Sequence, residues 1–133
     1  GFNTLGIDCS KEQIVSNTKS MPELLFKVQN VEQLEFKDES VDAFFMINVI
    51  HYVDRTNALN EIFRCLKKPG FFFVHFSLSI TDSAGKIDYS ETETDVENSV
   101  SQFKTIQKRI FERIDKTPVE HTHKIMELIL QKV

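Results

Sequence analysis

The chain has 133 residues, with 16 Lys and Arg against 20 Asp and Glu, a formal net charge of −4, and 41% hydrophobic residues. This length and composition predict one soluble domain with a single core. No apolar run approaches the roughly 18–20 residues of a membrane span, and the net acidity disfavours a nucleic-acid partner.

The two cysteines, Cys9 and Cys65, do not form a CxxC pair, so neither a disulfide framework nor a zinc ribbon is predicted. The first residues lack a basic start followed by an apolar segment, and we therefore expect no signal peptide. A reducing, cytoplasmic setting without a membrane partner is the resulting expectation.

The first elements of the chain are short. Residues 2–7 predict a buried strand, and Ser10 with Gln13 forms a capping-box pattern that begins a helix. Residues 24–28 predict a second strand, followed by a loop with a turn at residues 37–40.

Residues 41–50 are the most hydrophobic run, and a continuous apolar run predicts a strand covered on both faces. Residues 58–66 carry apolar side chains at helical spacing, and Pro69 with Gly70 ends that helix. Residues 71–76 predict a further buried strand. The order β-α-β-loop-β-α-β predicts a parallel sheet with helices on both faces.

Charge divides the rest of the chain. We assign residues 1–81 to an α/β core, residues 82–100, with six acidic side chains and one lysine, to an acidic connector loop, and residues 101–133 to an amphipathic helical cap of the same domain. The cap is predicted from helical spacing around Ile110 and from Ile125, Leu128 and Ile129, with Pro118 between the two helices. No strand is predicted after residue 76.

Two polar side chains follow the first two strands, where open α/β sheets bind ligands. The carboxylate of Asp8 can accept both hydroxyl protons of a ribose, or it can cap the following helix. The amide of Asn30 can pair with an adenine edge, or it can belong to a turn. Both alternatives stay open at each position.

The histidines allow further alternatives. His51 can act as a general base with Tyr52 orienting a substrate, or it can be structural at a strand-to-helix junction. His75 is expected in the core. His121 and His123 are two residues apart, which on a helix places them on different sides, and with no third ligand evident we expect no metal site.

Taken in order, five segments resemble the class I S-adenosylmethionine-dependent methyltransferases of the small-molecule type, over about residues 3–76. They are GIDCSKEQI at 6–14, FKVQNVEQLEF at 26–36, DESVD at 38–42, VIHYV at 49–53 and EIFRCLKKPG at 61–70. The resemblance implies a Rossmann-like parallel sheet and transfer of a methyl group from S-adenosylmethionine to an O or N atom of a small molecule.

The resemblance also assigns roles to residues. Asp8, with Cys9 beside it, is expected to bind the cofactor ribose, and Asn30 and Val31 are expected to flank the adenine. The methionine side is expected to be lined by the segment from Ile47 to His51, chiefly by Ile47 and Asn48, while His51 is the candidate general base and Tyr52 the candidate substrate contact. Three positions depart from the family pattern: Asn30 replaces an acidic residue, Glu35 a common Pro, and Phe71 a second Gly.

The family's first strand and its Gly-rich loop have no counterpart in these residues, which contain only four glycines. That strand would lie between the strands at 2–7 and 42–49, and the last two family strands have no evident counterpart either, so we expect an incomplete sheet. Three explanations are open: a piece of a longer enzyme, which needs the fewest assumptions; a catalytically inactive interaction module; or a homo-oligomer whose chains complement each other through the C-terminal helices.

Overall fold

The computed structural model describes residues 1–133. Its first unit is a parallel two-stranded sheet of β1 (Leu5–Asp8) and β2 (Leu25–Val28), joined by α1 (Lys11–Ser20). Ser10 is the N-cap of α1, because its Oγ accepts a hydrogen bond from the Gln13 amide at 3.2 Å. The predicted β-α-β start and its capping residue are confirmed.

The second unit is built on β3 (Val41–Met46), α2 (Arg55–Cys65) and β4 (Leu66–Asp82). β3 and β4 pair in parallel, as predicted for these two segments. Asp54 begins α2 by accepting a hydrogen bond from the Asn57 amide at 2.9 Å. β4 has 17 residues and is much longer than the predicted strand at residues 71–76.

The remaining elements extend the second sheet. They are β5 (Ile87–Ser90), α3 (Glu93–Ser99), β6 (Lys104–Asp115) and β7 (His121–Lys132). The strand order is β3-β4-β7-β6, with β5 paired to β4, and all pairings of β4 with β5 and β7 and of β6 with β7 are antiparallel. The sheet is therefore mixed rather than wholly parallel.

The predicted helical cap at residues 101–133 is wrong, as is the expectation of no strand after residue 76. Apolar residues at Ile125, Leu128 and Ile129 fit a helix, but Met126, Leu128 and Leu130 also alternate with less buried neighbours. β7 lies between β4 and β6, so both of its edges are paired. The alternating pattern of a strand therefore describes this segment, and the helical spacing does not. An oligomer formed through C-terminal helices loses its basis, because those helices do not form.

The acidic connector loop at residues 82–100 is also a wrong prediction, since this segment contains β5 and α3. Thr92 and Asp95 form a capping box that begins α3. Val96 and Val100 are fully or almost fully buried and belong to the main hydrophobic cluster. Acidic neighbours mask these two apolar positions in the sequence. Because both valines are buried, the core is not confined to residues 1–81.

The core lies between one face of the larger sheet and the helices α2 and α3. It is a cluster of 16 buried residues that includes Ile62 of α2, Phe72 of β4 and Leu128 of β7. None of the three helices has the length and hydropathy that crossing a membrane requires.

The two sheets are not joined by hydrogen bonds. β1 pairs only with β2, and β3 only with β4, so each keeps one edge without a strand partner. Large apolar side chains are exposed in both sheets, with Phe45 of β3 at 78% and Leu25 of β2 at 71%. The expected incomplete sheet is confirmed for the gap between β1 and β3, whereas β6 and β7 supply the two final strands that were expected to be missing.

Candidate functional site

Asp8 is the last residue of β1 and is half-buried. Its Oδ1 accepts a hydrogen bond from the Ser10 amide at 2.8 Å, while Ser10 itself caps α1. Asp8 is therefore not the N-cap, and its other carboxylate oxygen makes no hydrogen bond within the protein. The side chain is held in place by one oxygen and can offer the second to a ligand.

A cavity of about 570 Å³ opens at the carboxyl ends of β1 and β2 and includes two of the predicted cofactor residues, Cys9 and Asn30, in its lining. Cys9 is exposed. The buried Gln29 continues the β1–β2 pairing, because its backbone N–H donates a hydrogen bond to the backbone carbonyl of Asp8 at 3.0 Å. Because the two strands are parallel, both carboxyl ends lie at one edge and form this cavity together.

Asn30 is committed in part to a turn. Its Oδ1 accepts a hydrogen bond from the Glu32 amide at 2.9 Å, and its carbonyl accepts one from the Gln33 amide at 3.0 Å. The side-chain NH₂ group donates no bond in the protein. Val31 is half-buried and packs against the main core. The turn alternative is therefore correct for the oxygen of Asn30, and the donors remain available.

The segment after β3 places its residues in different environments. Ile47 is 47% exposed, and Asn48 is exposed with a left-handed φ of 59°, which asparagine tolerates better than most residues. Ile50 is almost fully buried and anchors the turn. Tyr52 is 84% exposed and its side chain makes no hydrogen bond within the protein, so the structure does not bring it to the cavity beside Asp8.

His51 is half-buried, and its Nε2 accepts a hydrogen bond from the Ser77 amide at 2.8 Å. The proton of the neutral ring is therefore on Nδ1. Burial lowers the pKa of His51, with Arg55 and His123 acting in the same direction and Glu91 opposing them. The structural alternative describes this geometry, since the lone pair that a general base needs is already engaged.

A polar cluster beside His51 was missed in the sequence. Arg55 and Glu91 form a two-point ion pair, with the second contact between Nη2 and Oε2 at 3.0 Å, and Tyr89 Oη donates to Glu91 Oε2 at 2.8 Å. The ring of Tyr89 packs edge-on against His51 at 5.7 Å between centroids. Burial alone raises the pKa of Glu91, but the bonds from Arg55 and Tyr89 lower it overall. Only the polar residues before α3 hinted at this cluster.

The histidine pair near the chain end differs from the prediction. His121 and His123 lie on β7, not on a helix, and residues two apart on a strand share one face. Asp115 of β6 lies beside both, so the structure places a third side chain of a metal-ligating type next to the two histidines, which the sequence pattern did not reveal. His75 lies in β4 but is not part of the core as expected, because it is half-buried on the face opposite Val74 and Phe76; its Nε2 lies 2.9 Å from Glu127 Oε2.

The neutral state of His51 predicts a pH dependence of stability. Below about pH 6.5 the unfolded chain binds a proton that the folded His51 resists, so the free energy of unfolding is expected to fall as the pH decreases. His51→Gln keeps an acceptor for the Ser77 amide but cannot titrate, and we expect a shallower dependence. Urea unfolding at about pH 7.5 and about pH 5.5 measures both.

His123 contributes with the same sign, because burial also lowers its pKa. Protonation of carboxylates with a lowered pKa, such as Glu91, destabilises the fold only below about pH 4.3. These groups therefore contribute little to the difference in stability between about pH 7.5 and about pH 5.5. An unchanged dependence in His51→Gln would contradict the prediction.

Solved structures with the same fold include methyltransferases. A SAM-dependent methyltransferase of Methanosarcina mazei has a TM-score of 0.80 at 21% identity, covering 97% of this chain and 81% of that one. The PH0226 protein of Pyrococcus horikoshii has a TM-score of 0.74 at 18% identity, covering 100% and 73%.

A third similar structure is the geranyl diphosphate C-methyltransferase of Streptomyces coelicolor in complex with Mg²⁺, geranyl-S-thiolodiphosphate and S-adenosyl-L-homocysteine. Its TM-score is 0.74 at 12% identity, covering 98% of this chain and 62% of that one. Identities this low establish the fold alone, and a sequence comparison with curated proteins finds no match.

The sequence itself matches a family profile over its first part. The family described as a methyltransferase domain matches residues 1–74, more than half of the chain, and these residues include the strand ends that carry Asp8, Asn30 and His51. The chain therefore belongs to the methyltransferase domain family, with the fold of the class I S-adenosylmethionine-dependent enzymes.

Proposed function

We propose that this chain binds S-adenosylmethionine and takes part in methyl transfer to an O or N atom of a small molecule. The observation that carries the proposal is the cavity at the ends of β1 and β2, lined in part by Cys9 and Asn30 and placed directly after Asp8. Family membership supports the cofactor, while the acceptor rests on the resemblance to small-molecule enzymes.

The residues in and beside this cavity suit the adenosine part of the cofactor: Cys9 and Asn30 belong to its lining, and Asp8, which is outside the lining, immediately precedes Cys9. The free oxygen of Asp8 suits the two hydroxyl protons of a ribose, and the amide donors of Asn30 suit the acceptors of an adenine edge. The methionine part finds fewer groups, because the four glycines are dispersed and form no Gly-rich loop. Ile47 and Asn48 are the candidates on that side.

The proposed reaction demands little covalent chemistry from the protein. When bound, S-adenosylmethionine would supply an electrophilic methyl group: the acceptor nucleophile would attack this methyl carbon in line while its bond to sulfur breaks and S-adenosylhomocysteine leaves. The chain contributes by holding donor and acceptor in position and by excluding water. To act as a general base through Nε2, His51 would first have to lose its hydrogen bond from the Ser77 amide. We therefore assign His51 a positioning role: it holds the turn after β3 in place.

Calorimetry with S-adenosylmethionine and S-adenosylhomocysteine tests the proposal. We expect Asp8→Asn to weaken binding by about 1–3 kcal/mol, the scale of a lost charged hydrogen bond. Asp42→Asn is the matched control, because this carboxylate is 85% exposed at the start of β3 and pairs only with Lys67. No heat and no thermal shift at millimolar ligand would exclude cofactor binding by this chain.

A catalytically inactive interaction module is the alternative. It is favoured by the unpaired edges of β1 and β3 and by the exposure of Phe45 and Leu25. A folded chain that binds neither form of the cofactor would support it. If the cofactor binds, incubation with isotopically labelled S-adenosylmethionine and a panel of phenols, amines and alkenes identifies the acceptor atom, and label on carbon alone would contradict the O or N assignment.

A further inference from the structure

The β6–β7 hairpin brings one carboxylate and two imidazoles together on one face of the sheet. Asp115 pairs with His121 across the hairpin, and His123 lies two residues further along β7 on the same side. One ligand atom from each of the three residues lies within 4.8 Å of the other two. Strand pairing therefore fixes the spacing of three side chains that are common metal ligands.

The side chains are already turned towards one another. His123 Nε2 lies 3.3 Å and His121 Nε2 4.0 Å from Asp115 Oδ2. His121 Nδ1 lies 2.6 Å from the carbonyl of Val119 and donates its proton there, which leaves the lone pair on Nε2 facing the carboxylate. A backbone acceptor that orients the non-ligating nitrogen is the usual support of a metal-bound histidine.

We propose that Asp115, His121 and His123 form a binding site for one divalent transition-metal ion of the zinc type. Bonds of about 2.0–2.2 Å at tetrahedral angles place neighbouring ligand atoms roughly 3.3 Å apart. The pair of His123 and Asp115 meets this separation. His121 must approach Asp115 by roughly 0.7 Å and His123 by up to about 1.5 Å, distances that side-chain rotation can supply. Two imidazoles and a carboxylate suit zinc, cobalt or nickel rather than calcium or magnesium.

The proposed site is open to solvent on one side, and the guanidinium of Arg113 competes with a metal ion for Asp115. The three side chains are only partly buried, at 24%, 15% and 33% exposure for His121, His123 and Asp115, so an ion can enter and keep a water ligand. Arg113 donates to Asp115 Oδ2 from Nη2 at 2.8 Å and from Nε at 3.2 Å. A bound ion must use the other oxygen or displace these bonds, so Arg113 limits the affinity.

The location connects this cluster to the candidate site. Ile80 of β4 pairs with Tyr89 on one side and with His123 on the other. The cluster is thus one strand away from the contact between Tyr89 and His51. The proposal itself does not depend on methyl transfer, because it rests on the hairpin alone.

Titration of the full chain, prepared without a histidine tag and freed of metal, tests the site. We expect one Zn²⁺ per chain by calorimetry and an intense visible absorption with Co²⁺, as tetrahedral coordination produces. His121→Ala and His123→Ala are each expected to weaken Zn²⁺ binding at least about tenfold. Arg113→Met is expected to strengthen it, because the competing cation is removed.

His75→Gln is the matched control, since this histidine pairs with Glu127 elsewhere on the sheet, and it is expected to leave Zn²⁺ binding unchanged. Circular dichroism establishes that each variant keeps its fold. Absence of Zn²⁺ binding by the parent chain, unaltered binding in both alanine variants, or an equal loss in His75→Gln would each overturn the proposal.

Discussion

Phe72→Ala is expected to lower the free energy of unfolding by about 3–5 kcal/mol, the largest effect of a single substitution considered for this chain. Phe72 is fully buried near the middle of β4, where the helix α2 covers one face of the larger sheet. Its ring also packs 5.9 Å from that of Phe103, measured between centroids. Removing the ring costs the burial of its apolar surface and leaves a cavity that the paired strands on both sides cannot close.

Phe45→Ala is the matched control. Phe45 lies on the neighbouring strand β3, where it pairs with Phe73, the residue after Phe72, but its side chain is 78% exposed. Its ring contacts only the outer face, 5.1 Å from Phe73 between centroids, so the expected loss is about 1 kcal/mol or less. Urea unfolding at a single protein concentration compares the two variants. Equal losses would contradict the placement of the core, since they would mean that Phe45 is as well covered as Phe72.

Lys132→Met is expected to lower the free energy of unfolding by about 3 kcal/mol, the second largest effect. The ammonium of Lys132 is buried at the end of β7 and donates to Phe63 O at 2.8 Å and to Leu66 O at 2.9 Å. These carbonyls lie at the carboxyl end of α2, where a cation also interacts favourably with the helix dipole. Methionine fills a similar volume but can neither donate to these two carbonyls nor pair with Glu39, whose Oε1 lies 3.4 Å from the ammonium.

Lys124→Met on the same strand is the control, because this side chain is exposed and forms no ion pair or hydrogen bond in the protein. Its expected effect is within about 0.5 kcal/mol. Hydrogen exchange of α2 adds an independent measurement, since loss of the Lys132 cap is expected to speed exchange in the last turn of that helix. A Lys132→Met chain as stable as the Lys124→Met chain would show that the two carbonyls need no donor.

The predictable part of the fold is the part with local signals. Ser10 caps α1 because its hydroxyl accepts a hydrogen bond from the backbone amide of Gln13, three residues later. The four residues from Ser10 to Gln13 are enough to predict this contact. Local signals also indicate the candidate site, because Asp8 ends β1 and Asn30 lies just after β2, and the parallel pairing of these strands brings their ends to one edge. The free carboxylate oxygen of Asp8 and the turn bond of Asn30 required the structure, because both depend on neighbouring amides.

Contacts between distant residues were beyond local patterns. Arg55 and Glu91 are 36 positions apart, and their ion pair forms because β5 returns alongside the end of β4. The three side chains Asp115, His121 and His123 cluster because their segments are strands, and a helical interpretation separates them. One wrong assignment of secondary structure therefore concealed a whole group of side chains.

The amino-acid sequence by itself determined the family and the alternation of strands and helices up to β4, and it indicated the polar residues at the ends of β1 and β2 for which we propose a ligand. Tertiary structure decided the last third of the chain. The apolar residues of β7 are compatible with either a helix or a strand, and the unpaired edge of β4 selects the strand, because each pairing satisfies backbone groups and buries apolar side chains at once.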